Sequence, residues 1–327
     1  ASCLAILEMI ASGITCFCDM YQSMEHVARA VDESGMKANL SRGLICSEDS
    51  RRAVEKDRRL LENIELYHNW KGHERIKVSF GVHSVYTCSV EYLKYVRQTV
   101  EKLDAQVHLH LDETQKEHQD CLRTFSKTPT MHLDHLGLLN FSTIAAHCVH
   151  VTEEDMDVLQ RRRCHVVHNP SSNMKLGSGI APVQRMLDKG IQVCLGTDGA
   201  SSNNSLNMMK EMTLASFLGK GSAMQPLALP AVQVLEMATS KGGKASGFSM
   251  TGRLEEGWAA DIVLIDYDKP HLYPLNNAYS AIVYAAQASD VHTVMCNGRL
   301  LYHKGQHLTM DYEKIRGEMG KVLDKIY

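Results

Sequence analysis

The sequence predicts an α/β fold built from parallel β/α units, and three observations carry that prediction. Short apolar runs alternate with segments of helical spacing from the first residues to about residue 250. The runs end in polar or acid–base residues, as strands do when their carboxyl ends carry chemistry. After about Met250 the rhythm changes to short apolar runs joined by Gly and Asn turns, the mark of a small separate β-module. With seven strand-like runs the parallel part is one short of a closed (β/α)8 barrel, and an open doubly wound sheet is the other arrangement the pattern allows.

Taken in order, the opening ASCLAILEMIASGITCFC reads as a core helix running into a strand, because Glu8 interrupts the apolar run and no basic segment precedes it. Strands are expected near 14–19 (ITCFCD), 37–44 (KANLSRGL), 77–83 (KVSFGVH), 106–112 (QVHLHLD), 143–148 (TIAAHC), 164–168 (CHVVH) and 191–197 (IQVCLGT). Helical spacing covers 22–34, 51–71, 90–104, 152–162 and 181–189, and a further helix starts at about Pro230 with Gly242 placed to end it. Beyond that, TGRLEEGWAADIVLIDYD, AIVYAA and VHTVMCNGRLLYHKGQ are expected to form short strands, with Asn297-Gly298 inside a hairpin and a helix near 311–325. The expected division is therefore a barrel over 1–249 and a β-module with a terminal helix over 250–327.

Composition narrows the function classes. At 327 residues and 44% apolar content the chain can bury one large core, or a core with a smaller satellite. A formal net charge of −3 gives no reason to expect nucleic acid or an anionic membrane as a partner. The ten cysteines are scattered with no C-x-x-C pair, which excludes a zinc ribbon and a thioredoxin-like motif and points to a reducing cytoplasm.

Four strand ends carry residues suited to chemistry: His83 in GVHSVY, His110 with Glu113 in HLHLDE, His147 in AAHCVH, and Asp198 in LGTDGASS. A lone strand-end histidine is more often a satisfied polar residue than a ligand, but four strand ends so equipped form a constellation. Neutral imidazoles and a carboxylate suit zinc or another borderline divalent ion. Two other metal patterns fail: HERIK at 73–77 has Lys77 where a metalloprotease helix needs its second histidine, and the H-x-E…P-C-x-x-C pattern is absent.

HLDET, AAHCVH, HNPSSNMKLGSGIAPV at 168–183 and LGTDGASSNNSLNMMKEM at 195–212 closely resemble the amidohydrolase superfamily. Within it, the chain is most similar to the 5-methylthioadenosine/S-adenosylhomocysteine deaminase group. CDMY at 18–21, SRGL at 41–44, HSVYTCS at 83–89 and EEGWAADIVLID near the C-terminus extend the resemblance over essentially the whole chain.

The resemblance implies an amidohydrolase-type TIM barrel with a β-sandwich-like module and one divalent metal, zinc before others, held in part by His110 and Asp198. By the same resemblance Asp198 also takes the proton of the attacking water, His147 orients that water, and Glu113 protonates the purine ring. His83 would contact the ribose, Arg42 and Arg59 the amino-acid end of S-adenosylhomocysteine, and Ser202 the pocket wall. The implied reaction is hydrolytic deamination of an adenosine derivative by a cytoplasmic enzyme, with homo-oligomers left open. Another heterocycle such as guanine or a triazine is the alternative substrate.

The family's H-x-H metal pair on strand 1 has no counterpart here, in agreement with the count of seven strands. The expectation is an N-terminally incomplete sequence, with a pseudoenzyme or a truncated fragment as the competing readings. His108, two residues before His110, is expected to pack in the barrel interior.

Overall fold

The structure is a computed structural model and describes residues 1–325. Seven parallel strands form one sheet in chain order: β1 (Cys16–Tyr21), β2 (Lys37–Leu44), β3 (Ile76–Val82), β4 (Gln106–Leu111), β5 (Thr143–His147), β6 (His165–His168) and β7 (Gln192–Leu195). Each matches an apolar run expected as a strand, with ends shifted by no more than two residues. Strands buried on both faces have no exposed face to alternate with, and β2 and β5 are buried almost throughout. Helices join successive strands and supply the outer layer, among them Met24–Ser34, Arg58–Trp70, Val90–Leu103 and Glu153–Arg161.

The sheet is curled rather than flat. Its edge strands β1 and β7 come near enough for the thiols of Cys18 and Cys194 to feel one another. Helix Ser2–Ala11 reaches across this side: Glu8 Oε1 accepts the Leu206 N–H at 2.7 Å, and the Ser12 hydroxyl donates to the Leu206 carbonyl at 3.0 Å. The charge that interrupts the opening apolar run is therefore used to satisfy a backbone donor beyond β7.

Three expected elements need correction. The 51–71 segment is two helices, because Asp57 accepts the Leu60 N–H and starts a new one at Arg58. The helix from Pro230 breaks at Thr239 and resumes as Ser240–Ala245, so Gly242 lies inside a helix and does not end one. AIVYAA is not a strand: Ala278–Tyr284 is helical, opened by Asn277, which accepts the Ser280 N–H. A short apolar run fits either period, and here the N-cap decides.

The second sheet is antiparallel, in the order β11 (Gln306–His307), β10 (Arg299–His303), β9 (Val291–Cys296) and β8 (Ile262–Ile265). Asn297 and Gly298 both take positive φ, 47° and 77°, as a tight two-residue hairpin turn requires. The expected terminal helix is Tyr312–Leu323. A buried ion pair joins this module to the barrel: Lys37 Nζ on β2 lies 2.5 Å from Asp261 Oδ2, each side chain 3% exposed. Among the described residues no helix is long and apolar enough to cross a membrane.

Candidate active site

Parallel strands in chain order place all their carboxyl ends on one rim, so residues far apart in sequence meet there. His83 follows β3, His110 is the penultimate residue of β4, Glu113 lies just past β4, His147 ends β5, and Asp198 follows β7. The His83 and His110 ring centroids are 5.1 Å apart, and those of His110 and His147 are 5.5 Å apart and stacked. Glu113 Oε2 lies 3.9 Å from His147 Nε2, and Asp198 is close enough to favour the charged form of His110. The four strand ends singled out in the sequence thus share one site.

His110 is held for a definite role. Its Nδ1 lies 2.8 Å from the His83 carbonyl oxygen, to which Nδ1–H donates, so Nε2 keeps a free lone pair. Burial, followed by the neighbouring His147, pushes its pKa down and favours the neutral ring. Burial likewise lowers the pKa of His83, against the pull of Glu113. His108 points inward with Nδ1 3.3 Å from the Ser41 hydroxyl, and burial, with His110 and His147 beside it, pushes it down to about 3. It is a packed, neutral interior group, as strand alternation implied.

Asp198 and His147 both adopt left-handed backbone, with φ of 58° and 75°. Such conformations persist in non-glycine residues only where the surroundings hold them, and here they turn side chains over the rim. Gly196 makes the approach to Asp198 feasible, since a Cβ there would collide with the side chains of Asn169 and Val167. The Asp198 carboxylate accepts the Ser172 hydroxyl at 2.6 Å and the Gly199 N–H at 2.7 Å. Glu113 Oε1 accepts the Ser178 hydroxyl at 3.2 Å, and the Glu113 N–H donates to Glu117 Oε2 at 2.8 Å.

Two of the remaining sequence candidates, Arg42 and Arg59, lie away from these histidines. Arg42 and Arg59 line a cleft of about 600 Å³ between helices Met24–Ser34 and Arg58–Trp70, whose walls include none of His83, His110 or His147. Arg42 Nε donates to Glu62 Oε2 at 2.8 Å, and Arg59 donates to the Ile45 carbonyl at 3.0 Å. Ser202 is half-buried on the short helix Ala200–Asn203 that follows Asp198.

Several participants were not found from the sequence. His168, at the end of β6, is buried with Nδ1 unpartnered, and burial pushes its pKa down to about 4. Ser172 and Asn173 lie on the buried helix Pro170–Lys175, for which no helix is expected from the periodicity. Pro170 directly after Asn169 was the available signal, since proline favours the first turn of a helix.

The donor set suits a borderline divalent metal as far as it goes. His110 offers a neutral imidazole with a free Nε2 near the end of β4, and Asp198 a carboxylate just past β7, on the same rim. Among the described residues no three His, Cys, Asp or Glu side chains converge as a metal centre.

Comparison with known proteins agrees with this geometry. The family model described as "Amidohydrolase family" matches residues 1–301. A 5-methylthioadenosine/S-adenosylhomocysteine deaminase of Thermoanaerobacter pseudethanolicus is 45% identical over 317 residues, which cover 96% of this chain and 73% of the relative. One of the same name from Syntrophomonas wolfei is 44% identical over 328 residues, covering 99% and 75%. The crystal structure of an adenosine deaminase from Xanthomonas campestris with bound zinc superimposes with a TM-score of 0.94 at 32% identity, covering 99% of this chain and 74% of that one. The strand-end constellation, the chain-order parallel sheet and the family match over residues 1–301 lead to one conclusion: the chain belongs to the amidohydrolase family.

Proposed function

We propose that the protein hydrolytically deaminates the adenine ring of an adenosine derivative, S-adenosylhomocysteine or 5′-methylthioadenosine, releasing ammonia and leaving the inosine analogue. The observation that carries this reading is the convergence of His110, Glu113, His147 and Asp198 on one rim. Relatives bearing the deaminase name at 44–45% identity support it.

His110 and Asp198 would hold the metal, taken as zinc from the relative that binds it. When bound, such an ion lowers the pKa of water, so that a nucleophile is available near neutral pH. Asp198 takes the proton of the attacking water, with the Ser172 and Gly199 donors holding its carboxylate in place. His147, whose Nδ1 lies 2.8 Å from Asn173 Oδ1, turns Nε2 toward the reacting water. Glu113 gives a proton to the ring nitrogen N1, so that electrons released by attack at C6 have somewhere to go. The amino group takes the proton held by Asp198, the C6–N bond breaks as ammonia leaves, the remaining hydroxyl proton returns to Glu113, and the water oxygen stays on the ring.

By the same reading His83 contacts the ribose, and Arg42 and Arg59 meet the carboxylate end of a longer substrate, for which a guanidinium fork is well shaped. Ser202 borders the pocket. The test is ammonia release from a panel of adenosine, S-adenosylhomocysteine, 5′-methylthioadenosine, guanine and a triazine. Turnover of the adenine-bearing compounds is expected. Turnover confined to guanine or the triazine would move the reading to another heterocycle.

A further inference from the structure

Helix Pro170–Lys175 touches both of the groups that must face the attacking water. Two consecutive residues on it, each completely buried, point to two different strand ends. Ser172 donates its hydroxyl to Asp198 Oδ2 at 2.6 Å, and Asn173 Oδ1 lies 2.8 Å from His147 Nδ1. The helix is itself tied down at its start. Glu211, fully buried on helix Met208–Ala223, accepts the Ser171 N–H at 3.0 Å through one oxygen and Asn203 Nδ2 at 2.8 Å through the other. Asn203 Nδ2 also donates to the carbonyl of Thr197, the residue before Asp198, at 2.7 Å. One carboxylate therefore links the helix to the loop that carries Asp198.

We propose that Ser172 and Asn173 are the positioning residues of this site, Ser172 fixing the Asp198 carboxylate and Asn173 fixing the tautomer of His147, with Glu211 as their common anchor. This rests on the deaminase reading for its consequence but not for its geometry. An accepting amide oxygen at Nδ1 requires the proton there, so the neutral ring of His147 presents a bare Nε2 lone pair. That nitrogen, 3.9 Å from Glu113 Oε2, can accept a hydrogen bond from the attacking water and thereby aim its oxygen at the ring. Were Asn173 absent, the ring would be free to carry its proton on Nε2, where it would repel the water's hydrogens.

The test is the nitrogen NMR spectrum of His147, which reads the tautomer without substrate or turnover, combined with steady-state kinetics. The native protein is expected to show a protonated Nδ1 and an unprotonated Nε2. Asn173→Ala is expected to lose that signature and to lower kcat about 10- to 100-fold, the range usual for residues that orient a reacting group, with KM little changed. Asn173→Asp keeps an accepting oxygen at the same reach and is expected to retain the Nδ1–H signature; it carries the test if the alanine variant does not fold. Ser172→Ala is expected to lower kcat while leaving the His147 spectrum as it is.

A native spectrum with the proton on Nε2, or an Asn173→Ala protein with unchanged tautomer and kcat, overturns the proposal. A correct tautomer in a protein that deaminates nothing would instead sink the deaminase reading and leave the positioning geometry standing.

Discussion

Glu117 shows how closely the site's residues depend on their burial. It lies on helix Gln115–Phe125, 4% exposed, with Oε2 accepting the Glu113 N–H and Oε1 without a partner. Burial pushes its pKa up from 4.5 to about 7, opposed by that backbone donor and aided by Asp112. Between those two values the folded chain holds a proton that the unfolded chain has released, so this group's effect is to lower stability as pH rises through the window. Glu117→Gln, which carries no charge, is expected to gain relative to the native protein over the same window. The difference should reach on the order of 3 kcal/mol above pH 7, at about 1.4 kcal/mol per pKa unit. Urea denaturation across pH checks this, and parallel curves for the two proteins would contradict it.

At this scale the sequence was informative where residue type and strand end coincide, as for His110, Glu113, His147 and Asp198. It was silent about Glu117, Ser172 and Asn173, whose importance comes from which atom they touch and not from what they are.

Elements were legible in proportion to how locally they are determined. The seven parallel strands follow from apolar runs that need no distant partner to be recognised. Helix Met208–Ala223 was not legible as one, because its apolar residues are not confined to the buried stripe of Met209, Met212, Ala215 and Gly219: Leu214 lies off it and Phe217 is exposed. Helix Ala278–Tyr284 was misread because its apolar run is too short to fix a period.

The joint between barrel and β-module was equally hidden, since Lys37 and Asp261 lie far apart in the chain. Asp261 also accepts the Asn297 N–H at 2.8 Å and the Thr251 hydroxyl. Removing only the cation leaves a buried carboxylate uncompensated. Lys37→Met is therefore expected to cost about 3–5 kcal/mol in chemical denaturation, the usual penalty for breaking a buried pair from one side. A loss below about 1 kcal/mol, typical of exposed pairs, would mean that the joint is wet and weak.

For the whole molecule, the chain-order sheet is what turns separate motifs into a site. A sequence can show that His110 and Asp198 end strands, but only the curl of the sheet puts the ends of β4, β5 and β7 within reach of one substrate ring. The resemblance to deaminases implies roles for these residues; the structure shows how His147 and Asp198 are held, by Asn173 and by Ser172. It also places Arg42 and Arg59 in a cleft of their own, which a short substrate need not occupy.

The central claim is that water attacks an adenine ring on this rim under the control of Glu113 and Asp198. Its most direct test is mass analysis of the product formed from S-adenosylhomocysteine in isotopically labelled water, for the native protein and for Glu113→Gln. The account predicts ammonia release with labelled oxygen on the product ring from the native protein, and a loss of about 100-fold or more for the variant, within the range for a general acid. An unaltered substrate, a product without the label, or equal yields from the two proteins would contradict it.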